Sequence, residues 1–364
     1  PDPACAGEGE AVVHAVAVTV AVIVTAHNRA DQLEAALSSA TAQTYPHLDI
    51  VVVDDASTDR TPEVCRRYAA IDSRVRVLRM ERNGGVARAR NAGLDAVRSD
   101  YVAFLDGDDY ADPPWIEEML TAALATDAPL VATGHVVDMH AGGDAAVKSE
   151  SRPVDELTLM PGGPVPAVHP QPFVWAMGYC WNKLYLRSFL EQHRLRFDPA
   201  WPLFEDMMFN LDLMAVAPRV ALIPAAHYHY VQHSADRLTN RPQVPDLRFR
   251  AHLAQRLVAQ LERWGLEGQM KPVIGSLLGW SMAVECSRTT PPGVRAAPAL
   301  RDALGDPGVQ WMITRAVSEG HVRRVDRPVV AALRAGRVRS ARTLALAVLG
   351  LARVRAWLGL RLAR

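Results

Sequence analysis

Short apolar runs alternate with amphipathic stretches along the first two thirds of the chain. Runs rich in Val, Ile and Leu that end at polar residues are typical of strands buried in a parallel sheet. The predicted strands are Val18–Thr25, Ile50–Val53, Val75–Leu78, Tyr101–Leu105, Leu130–Thr133 and Val220–Ile223. Because helical spacing fills the intervals between them, the sequence predicts an α/β fold, with a mostly parallel sheet covered by helices on both faces.

The helices between these strands are predicted from apolar residues that recur every three or four positions. They are Ala30–Gln43, Thr58–Tyr68, Gly85–Val97, Ile116–Ala125, Trp181–His193 and Glu205–Val216. From residue 141 to 171 this periodicity fades and Gly and Pro are frequent, which indicates a long loop. Long loops without secondary structure in compact domains often act as lids, so this one is expected near a functional site.

After Arg241 the pattern becomes purely helical. The predicted helices are Leu247–Trp264, Val273–Cys286, Val309–Val317 and Val329–Leu360. The chain is therefore predicted to consist of a flexible tail (1–17), an α/β domain (18–240) and a C-terminal helical region (241–364). Arginines alternate with apolar residues in the last segment, 334–364, which suits either an ordinary amphipathic helix, a membrane-surface contact or a partner helix.

Composition narrows the class of protein. The 364 residues carry 40 basic and 40 acidic side chains, so no overall field favours nucleic acid as a partner. The four cysteines have no paired spacing and indicate neither a disulfide framework nor a zinc site. No apolar run is long enough to span a bilayer. We therefore expect a cytoplasmic protein, with peripheral contact to the inner membrane face and homo-oligomerisation left open.

Four chemical features follow predicted strands, at the edge where open parallel sheets bind ligands. These features are Thr25-Ala26-His27-Asn28-Arg29, the pair Asp54-Asp55, the glycine turn Asn83-Gly84-Gly85 with Arg88 and Arg90 behind it, and Asp106-Gly107-Asp108-Asp109. Three clustered acids repel one another unless a cation lies among them, and hard divalent cations prefer oxygen ligands. Glycine turns and helix N-termini offer N–H groups to phosphates. Together the features predict a pocket for a nucleoside diphosphate and a metal ion.

Each feature also has a purely structural interpretation. The acids of the central cluster could form a solvated turn that caps the helix after Pro113-Pro114, and Asp54-Asp55 could cap the next helix. Asn83-Gly84-Gly85 could be a plain turn. Any one of these motifs alone carries a high false-positive risk, and it is their joint occurrence at one sheet edge that favours the ligand site.

The four blocks resemble glycosyltransferase family 2 in order and spacing, over about residues 18 to 135. Members are inverting, metal-dependent enzymes of the GT-A fold, and the chain looks nearest to bacterial wall, teichoic-acid and capsule enzymes. The resemblance implies a nucleotide-sugar-binding part at 18–135, an acceptor-binding part at 136–240, and Mn²⁺ or Mg²⁺ as cofactor. It also implies a donor such as a UDP-sugar and a hydroxyl acceptor on a glycan, a polyol-phosphate polymer or a lipid-linked intermediate.

The same resemblance assigns roles to individual residues. Asp108 would bind the metal directly, and His229 would add an imidazole ligand, with His227 and His233 as rivals. The donor-binding positions would be Thr25, His27, Asn28, Asp55, Gly84, Gly85, Asp106 and Asp109, together with Arg88 or Arg90 at the pyrophosphate. His27 replaces the aromatic residue that is more common at its position, so the identity of the nucleobase stays open.

The downstream half resembles the acceptor side of the same enzymes through two segments. Trp181, Asn182 and Lys183 would lie beside the acceptor. Asp206, in the pair Glu205-Asp206 at a helix start, would be the general base that deprotonates the acceptor hydroxyl. First-turn acids also favour a helix through its dipole, which is the structural alternative for this pair.

Two other functions remain open at this stage. A nucleotidyltransferase also combines acids, a metal and a parallel sheet, but it would release pyrophosphate instead of a nucleoside diphosphate. A catalytically idle binding or scaffold module would keep the fold without turnover. The donor sugar, the acceptor and the pathway have no readable code in the sequence.

Overall fold

The computed structural model describes most of the α/β part of the chain and portions of the helical region. The described residues are 17–140, 148–163, 177–201, 203–233, 247–268, 271, 282, 302–318, 324, 326–337, 339–341 and 343–345. Residues 1–16 of the predicted tail and most of the arginine-rich segment 334–364 lie outside them. None of the described helices is both long enough and apolar enough to cross a membrane.

The main sheet has eight strands in the order β3-β2-β1-β4-β10-β6-β11-β9. Their bounds are β1 Val20–Ala26, β2 Leu48–Asp54, β3 Val75–Arg79, β4 Tyr101–Asp106, β6 Leu130–Thr133, β9 Leu157–Leu159, β10 Lys183–Leu186 and β11 Val220–Ile223. Only β9 and β10 run against the other strands of this sheet. The predicted α/β architecture with a mostly parallel sheet is therefore confirmed.

Helices cover both faces of this sheet because its central strands are apolar on both sides. They are α1 Ala30–Thr41, α2 Thr61–Ile71, α3 Val86–Ala96, α4 Trp115–Thr126, α5 Arg187–Gln192 and α6 Glu205–Val216. Along β1, Val22 and Val24 pack into the same core as α1 and α4, whereas Ile23 packs with α3 and α6 on the opposite face. Burial on both faces explains why these strands read as continuous hydrophobic runs.

A second, smaller sheet lies beside the first, in the order β5-β12-β7-β8. Its strands are β5 Tyr110–Ala111, β7 His135–His140, β8 Lys148–Arg152 and β12 Tyr228–His233. β5 begins directly after the acid cluster, and β12 pairs with it through Tyr228 and Ala111. The second sheet therefore supports the loop that carries Asp106, Asp108 and Asp109.

The described C-terminal elements are helical, as predicted. They are α7 Leu247–Arg263, α8 Pro307–Ser318 and α9 Arg327–Arg334. Helix α7 packs against α6 and α8, and its buried apolar residues belong to the same core as α3 and α6. The helical region is thus joined to the α/β domain on the side of Glu205 and Asp206.

Three details differ from the sequence prediction. The stretch predicted as one helix, Trp181–His193, begins as strand β10, because it fills an antiparallel position between β4 and β6. The predicted loop contains the short strands β8 and β9. The helix predicted to begin at Val329 stops at Arg334, where Gly336 adopts a φ of 68°. There the Gly336 and Arg337 N–H groups donate to the Leu333 and Ala332 carbonyls, as in a glycine-terminated helix.

The predicted helix Val273–Cys286 lies almost entirely outside the described residues. The predicted domain limits stay predictions.

Candidate active site

The carboxyl ends of three neighbouring strands form the floor of the candidate site. In the sheet register Thr25 of β1 pairs with Asp106 of β4, and Ala26 pairs with Asp54 of β2. The polar residues that follow these strands therefore meet at one edge, as the sequence predicted. This edge is where ligands bind in open α/β sheets.

Asp55 holds the glycine turn against this edge. Its carboxylate accepts hydrogen bonds from the Gly84 and Gly85 N–H groups, at 2.7 and 2.8 Å, and its own N–H donates to the Ala26 carbonyl. Gly85 has a φ of 82°, a conformation that favours glycine. The two N–H groups that we expected to face a phosphate thus donate to Asp55. Their part in donor binding, and that of the buried Asp55 carboxylate, stays a prediction.

His27 and Asn28 form the more open wall of the same pocket. The His27 Nδ1 lies 2.7 Å from the Asp55 carbonyl oxygen, which can only accept, so Nδ1 carries the proton. Nε2 is then an acceptor and lies 3.2 Å from the Asn28 side-chain nitrogen. Asn28 has a φ of 51°, and its side-chain oxygen accepts the Thr58 N–H. The imidazole is therefore held in one tautomer at a partly exposed position.

Gly107 allows the acid cluster to turn over the end of β1. A Cβ at this position would lie 2.8 Å from the Thr25 carbonyl oxygen, which itself accepts the Gly107 N–H at 2.9 Å. Thr25 thus contributes its backbone, while its side chain is buried. The tight contact explains why a glycine separates Asp106 from Asp108.

The three acids of the cluster have different surroundings. The Asp108 side chain is 37% exposed and accepts a hydrogen bond from the Arg29 Nε at 3.3 Å. Asp106 is partly exposed and pairs with Arg90 at 2.8 Å. Asp109 points inward, where its carboxylate lies 2.7 Å from the Tyr228 hydroxyl and accepts the Val231 N–H at 2.8 Å.

Burial, together with the charges of Asp108 and Asp106, raises the pKa of Asp109 well above its usual range. Through its contacts with Tyr228 and Val231, Asp109 joins the acid cluster to β12. Its predicted contact with the donor stays a prediction.

The acid cluster fits a hard divalent ion that completes its coordination with substrate. No group of three or more His, Cys, Asp or Glu side chains is arranged as a complete metal site within the described part of the chain. Mg²⁺ and similar ions in phosphate-transferring sites are commonly held by one or two carboxylates plus phosphate oxygens and water. Asp108, with its partly exposed carboxylate, and Asp106 beside it have the donor chemistry for this arrangement.

His229, the predicted imidazole ligand, lies among acids of the second sheet. Its Nδ1 is 2.8 Å from an Asp138 carboxylate oxygen and its Nε2 is 3.3 Å from one of Asp112. The ring also stacks on Tyr110 at a centroid distance of 4.3 Å. The rival His227 lies between Asp112 and Glu118, at 3.4 and 3.1 Å. Both ring nitrogens of each histidine therefore face carboxylates, and a role at the metal stays a prediction.

Arg90 connects the acid cluster to the predicted general base. Its buried guanidinium donates to Asp106 and to Glu205, each at 2.8 Å. Asp206 follows Glu205 in the first turn of α6, and its side chain accepts the Met207 N–H at 2.8 Å. The acid cluster and the pair Glu205-Asp206 are therefore brought together, although they are about a hundred residues apart in the chain. Arg88, the other candidate for the pyrophosphate, is exposed beside Gly84.

Asp206 has the electrostatic properties of a general base. Burial and, after it, the nearby Glu205 charge raise its pKa from 3.8 to about 7, while Arg90 opposes both effects. A base whose pKa lies near the operating pH is well matched to proton transfer. Phe204, immediately before the helix, has a φ of 62°, an uncommon conformation for a bulky residue.

The predicted acceptor-side residues Trp181, Asn182 and Lys183 are all buried. Trp181 stacks between Tyr179 and Tyr228, at centroid distances of 4.5 and 4.3 Å. The Lys183 ammonium donates to the Asn182 side-chain oxygen at 2.8 Å and to the Tyr179 carbonyl, and burial lowers its pKa to about 7. These side chains support the site from within, and direct contact with an acceptor stays a prediction.

Two residues of the site carried no assignment from the sequence. Tyr228 bridges the Asp109 carboxylate and the Asp106 N–H, and Arg29 pairs with Asp108. The position of Arg29 directly after the His27-Asn28 motif could have indicated its role. The alternation of His and Tyr from residue 227 to 230 could have indicated that one set of side chains faces inward.

Comparison with known proteins gives a consistent picture. Residues 21–194 match the model described as Glycosyl transferase family 2. ExoO of Rhizobium meliloti, a succinoglycan biosynthesis protein, is 35% identical over 216 residues, 58% of this chain and 60% of ExoO. EpsH of Bacillus subtilis, a candidate glycosyltransferase, is 32% identical over 225 residues, 59% of this chain and 61% of EpsH. The chain thus spans about three fifths of each of these two relatives.

The fold is also that of a solved structure. Residues 1–349 of S. aureus TarS in complex with UDP-GlcNAc have a TM-score of 0.62 and 18% identity, covering 95% of this chain and 93% of that one. The predicted GT-A type of α/β fold is confirmed by this likeness. The sequence motifs and the sheet topology agree with the family match, and residues 21–194 of the chain are similar to glycosyltransferase family 2.

Proposed function

We propose that the protein is a metal-dependent inverting glycosyltransferase that moves a sugar from a nucleoside-diphosphate sugar to a hydroxyl acceptor. One observation carries the proposal. The Arg90 guanidinium contacts Asp106 and Glu205 at the same distance, 2.8 Å, so one side chain links the acid cluster to the pair that includes Asp206. A transferase that inverts its sugar needs a base on the acceptor side and a charged site for the leaving group on the other.

On the donor side, Asp108 would hold Mn²⁺ or Mg²⁺, with Asp106 close by. When bound, the ion supplies electrostatic stabilisation of the negative charge that develops on the departing diphosphate. His27 and Asn28 would line the nucleoside end, and the exposed Arg88 would face the diphosphate. Arg29 pairs with Asp108 in this structure and would neutralise part of that carboxylate's charge before a donor binds.

On the acceptor side, Asp206 would act as the general base. Its carboxylate accepts the hydroxyl proton while the acceptor oxygen forms a bond to the anomeric carbon. The bond from that carbon to the diphosphate oxygen breaks at the same time, and the nucleoside diphosphate leaves with the electron pair. A pKa of about 7 lets Asp206 be ionised in much of the enzyme near neutral pH and still be basic enough to take the proton.

The substrate class is proposed from the relatives. ExoO is a succinoglycan biosynthesis protein, and TarS was solved in complex with UDP-GlcNAc. We therefore propose a UDP-sugar as donor and an acceptor that is a growing surface polysaccharide or wall polymer.

The experiment is a screen of nucleotide sugars with Mn²⁺, with the released products identified. A glycosyltransferase releases a nucleoside diphosphate, a nucleotidyltransferase would release pyrophosphate, and an idle module would release neither. Asp206→Asn should bind UDP as the wild type does and lose turnover, whereas Asp212→Asn, a partly exposed residue of the same helix that pairs with Arg256, serves as the matched control. Pyrophosphate as product, or full turnover by Asp206→Asn, would contradict the proposal.

A further inference from the structure

Arg90 is a buried cation, and the sugar-transfer reaction proposed above assigns it no role. Its side chain is 3% exposed, and its guanidinium carbon lies 5.4 Å from the centre of the Phe197 ring. Two of its nitrogens donate to carboxylates of different segments, Asp106 at the end of β4 and Glu205 at the start of α6. Burying a guanidinium is costly unless carboxylates and hydrogen bonds compensate, so this position is defined by its two partners.

The geometry makes a direct contact with a diphosphate unfavourable for Arg90. Both terminal nitrogens of its guanidinium are already directed at Asp106 and Glu205, and its Nε is buried. Arg88, in contrast, is exposed, and its side chain lies against Gly84 in the glycine turn. The two arginines that the sequence left as equal candidates therefore have different surroundings.

The first turn of α6 is linked to the acid cluster through Arg90. No side chain caps this helix, and the preceding residue, Phe204, has a left-handed backbone conformation. Further along, the buried Asn210 anchors the helix by donating to the Met177 and Tyr179 carbonyls. At its start, the ion pair from Arg90 to Glu205 is the contact that joins the helix to the donor side of the site.

We propose that Arg90 is a positioning residue that fixes the pair Glu205-Asp206 relative to Asp106, and that it does not hold the diphosphate. This inference rests on the proposed function. A planar guanidinium can reach two carboxylates at once, while a lysine ammonium is a single point charge. The charge alone is therefore insufficient, and the bridging geometry is what the reaction needs.

The test compares Arg90→Lys and Arg90→Gln with a matched control, Arg196→Gln. Arg196 also pairs with a carboxylate, Asp95 of α3, but at the surface. Three quantities are measured on each protein: the melting temperature, the affinity for UDP in the presence of Mn²⁺, and the turnover of the nucleotide sugar that the screen selects. Arg90→Lys keeps the positive charge, so it carries the test if Arg90→Gln does not fold.

We expect both Arg90 variants to lower kcat by about 100-fold or more, because a small displacement of a reacting group is enough to cost that much. UDP affinity should change by less than about threefold, because the variants misplace the base and leave the contacts to UDP intact. Arg196→Gln should match the wild type in both quantities.

Two results would overturn the inference alone. One is UDP affinity that falls as much as kcat does, which would make Arg90 a diphosphate contact. The other is wild-type kcat in Arg90→Lys. Failure of the wild-type protein to bind UDP and to turn over any nucleotide sugar would instead overturn the proposed function, and the inference with it.

Discussion

The ionised Asp206 carboxylate is expected to destabilise the folded protein, because it is buried. The variant Asp206→Asn should therefore be more stable than the wild type at a pH where Asp206 is ionised. The pKa of Asp206 is raised from 3.8 to about 7 in the fold, chiefly by burial and then by Glu205. The folded state therefore binds the proton more tightly than the unfolded state does. The contribution of Asp206 to stability is therefore fully present below about pH 4 and is lost as the pH rises through the folded pKa.

The size of the effect follows from the shift. A displacement of about 3 pH units corresponds to about 4 kcal/mol between pH 4 and pH 8, and relaxation around the ionised carboxylate reduces this to about 2–4 kcal/mol. An asparagine cannot ionise, so Asp206→Asn does not lose this free energy of unfolding as the pH rises. For a chain of 364 residues the difference amounts to a melting temperature about 3–5 °C higher than that of the wild type at pH 8.

The assay is the melting temperature of both proteins from pH 4 to pH 8. The charges that face Asp206 are those of Glu205, Arg90 and Asp106, and the ammonium of Lys183 also interacts with it. Because all four are present in both proteins, the difference between the two curves isolates Asp206. That difference should grow with pH and reach its limit above pH 7. A difference that stays constant over this range would refute the assignment of a raised pKa, and with it the reason for regarding Asp206 as a base.

Three further substitutions test other parts of the site. Asp108→Asn should lower the affinity for UDP by about 100-fold in the presence of Mn²⁺ and leave it unchanged in the absence of the metal. Calorimetry of UDP binding with and without Mn²⁺ measures both affinities. An equal loss of affinity under the two conditions would contradict the metal role of Asp108. Tyr228→Phe should lower the free energy of unfolding by about 1–3 kcal/mol in urea denaturation, because it removes the hydroxyl between Asp109 and the Asp106 N–H; an unchanged midpoint would show that the bridge is unimportant. Gly107→Ala should destabilise the fold by about 1–3 kcal/mol, since its Cβ would lie 2.8 Å from the Thr25 carbonyl oxygen, and equal stability would show that the turn can relax.

The sequence predicted the sheet edge well because strand periodicity and turn chemistry are local. The strands that end at Thr25, Asp54 and Asp106 were recognisable as apolar runs stopped by polar residues, and parallel pairing then places their ends side by side. The joint arrival of Asp55, Gly84 and Gly85 at this edge follows from the same rule.

The errors came from contacts that are distant in the chain. Strand β10 was predicted as helix because Lys183–Leu186 has no strand signature of its own, and its conformation is set by pairing with β4 and β6. The bridge from Arg90 to Glu205 spans 115 positions and could not be read from spacing. The long loop contained strands for the same reason, since β8 and β9 depend on β7 and β11 as partners.

The most direct test of the central claim is a crystal structure of the protein with UDP and Mn²⁺, with the metal located by anomalous scattering. The account predicts a manganese peak beside Asp108, a diphosphate bound to it, and the Asp206 carboxylate on the far side of the space that the sugar would occupy. A manganese peak among His229, Asp112 and Asp138 instead, or a diphosphate away from the ends of β1, β2 and β4, would contradict it.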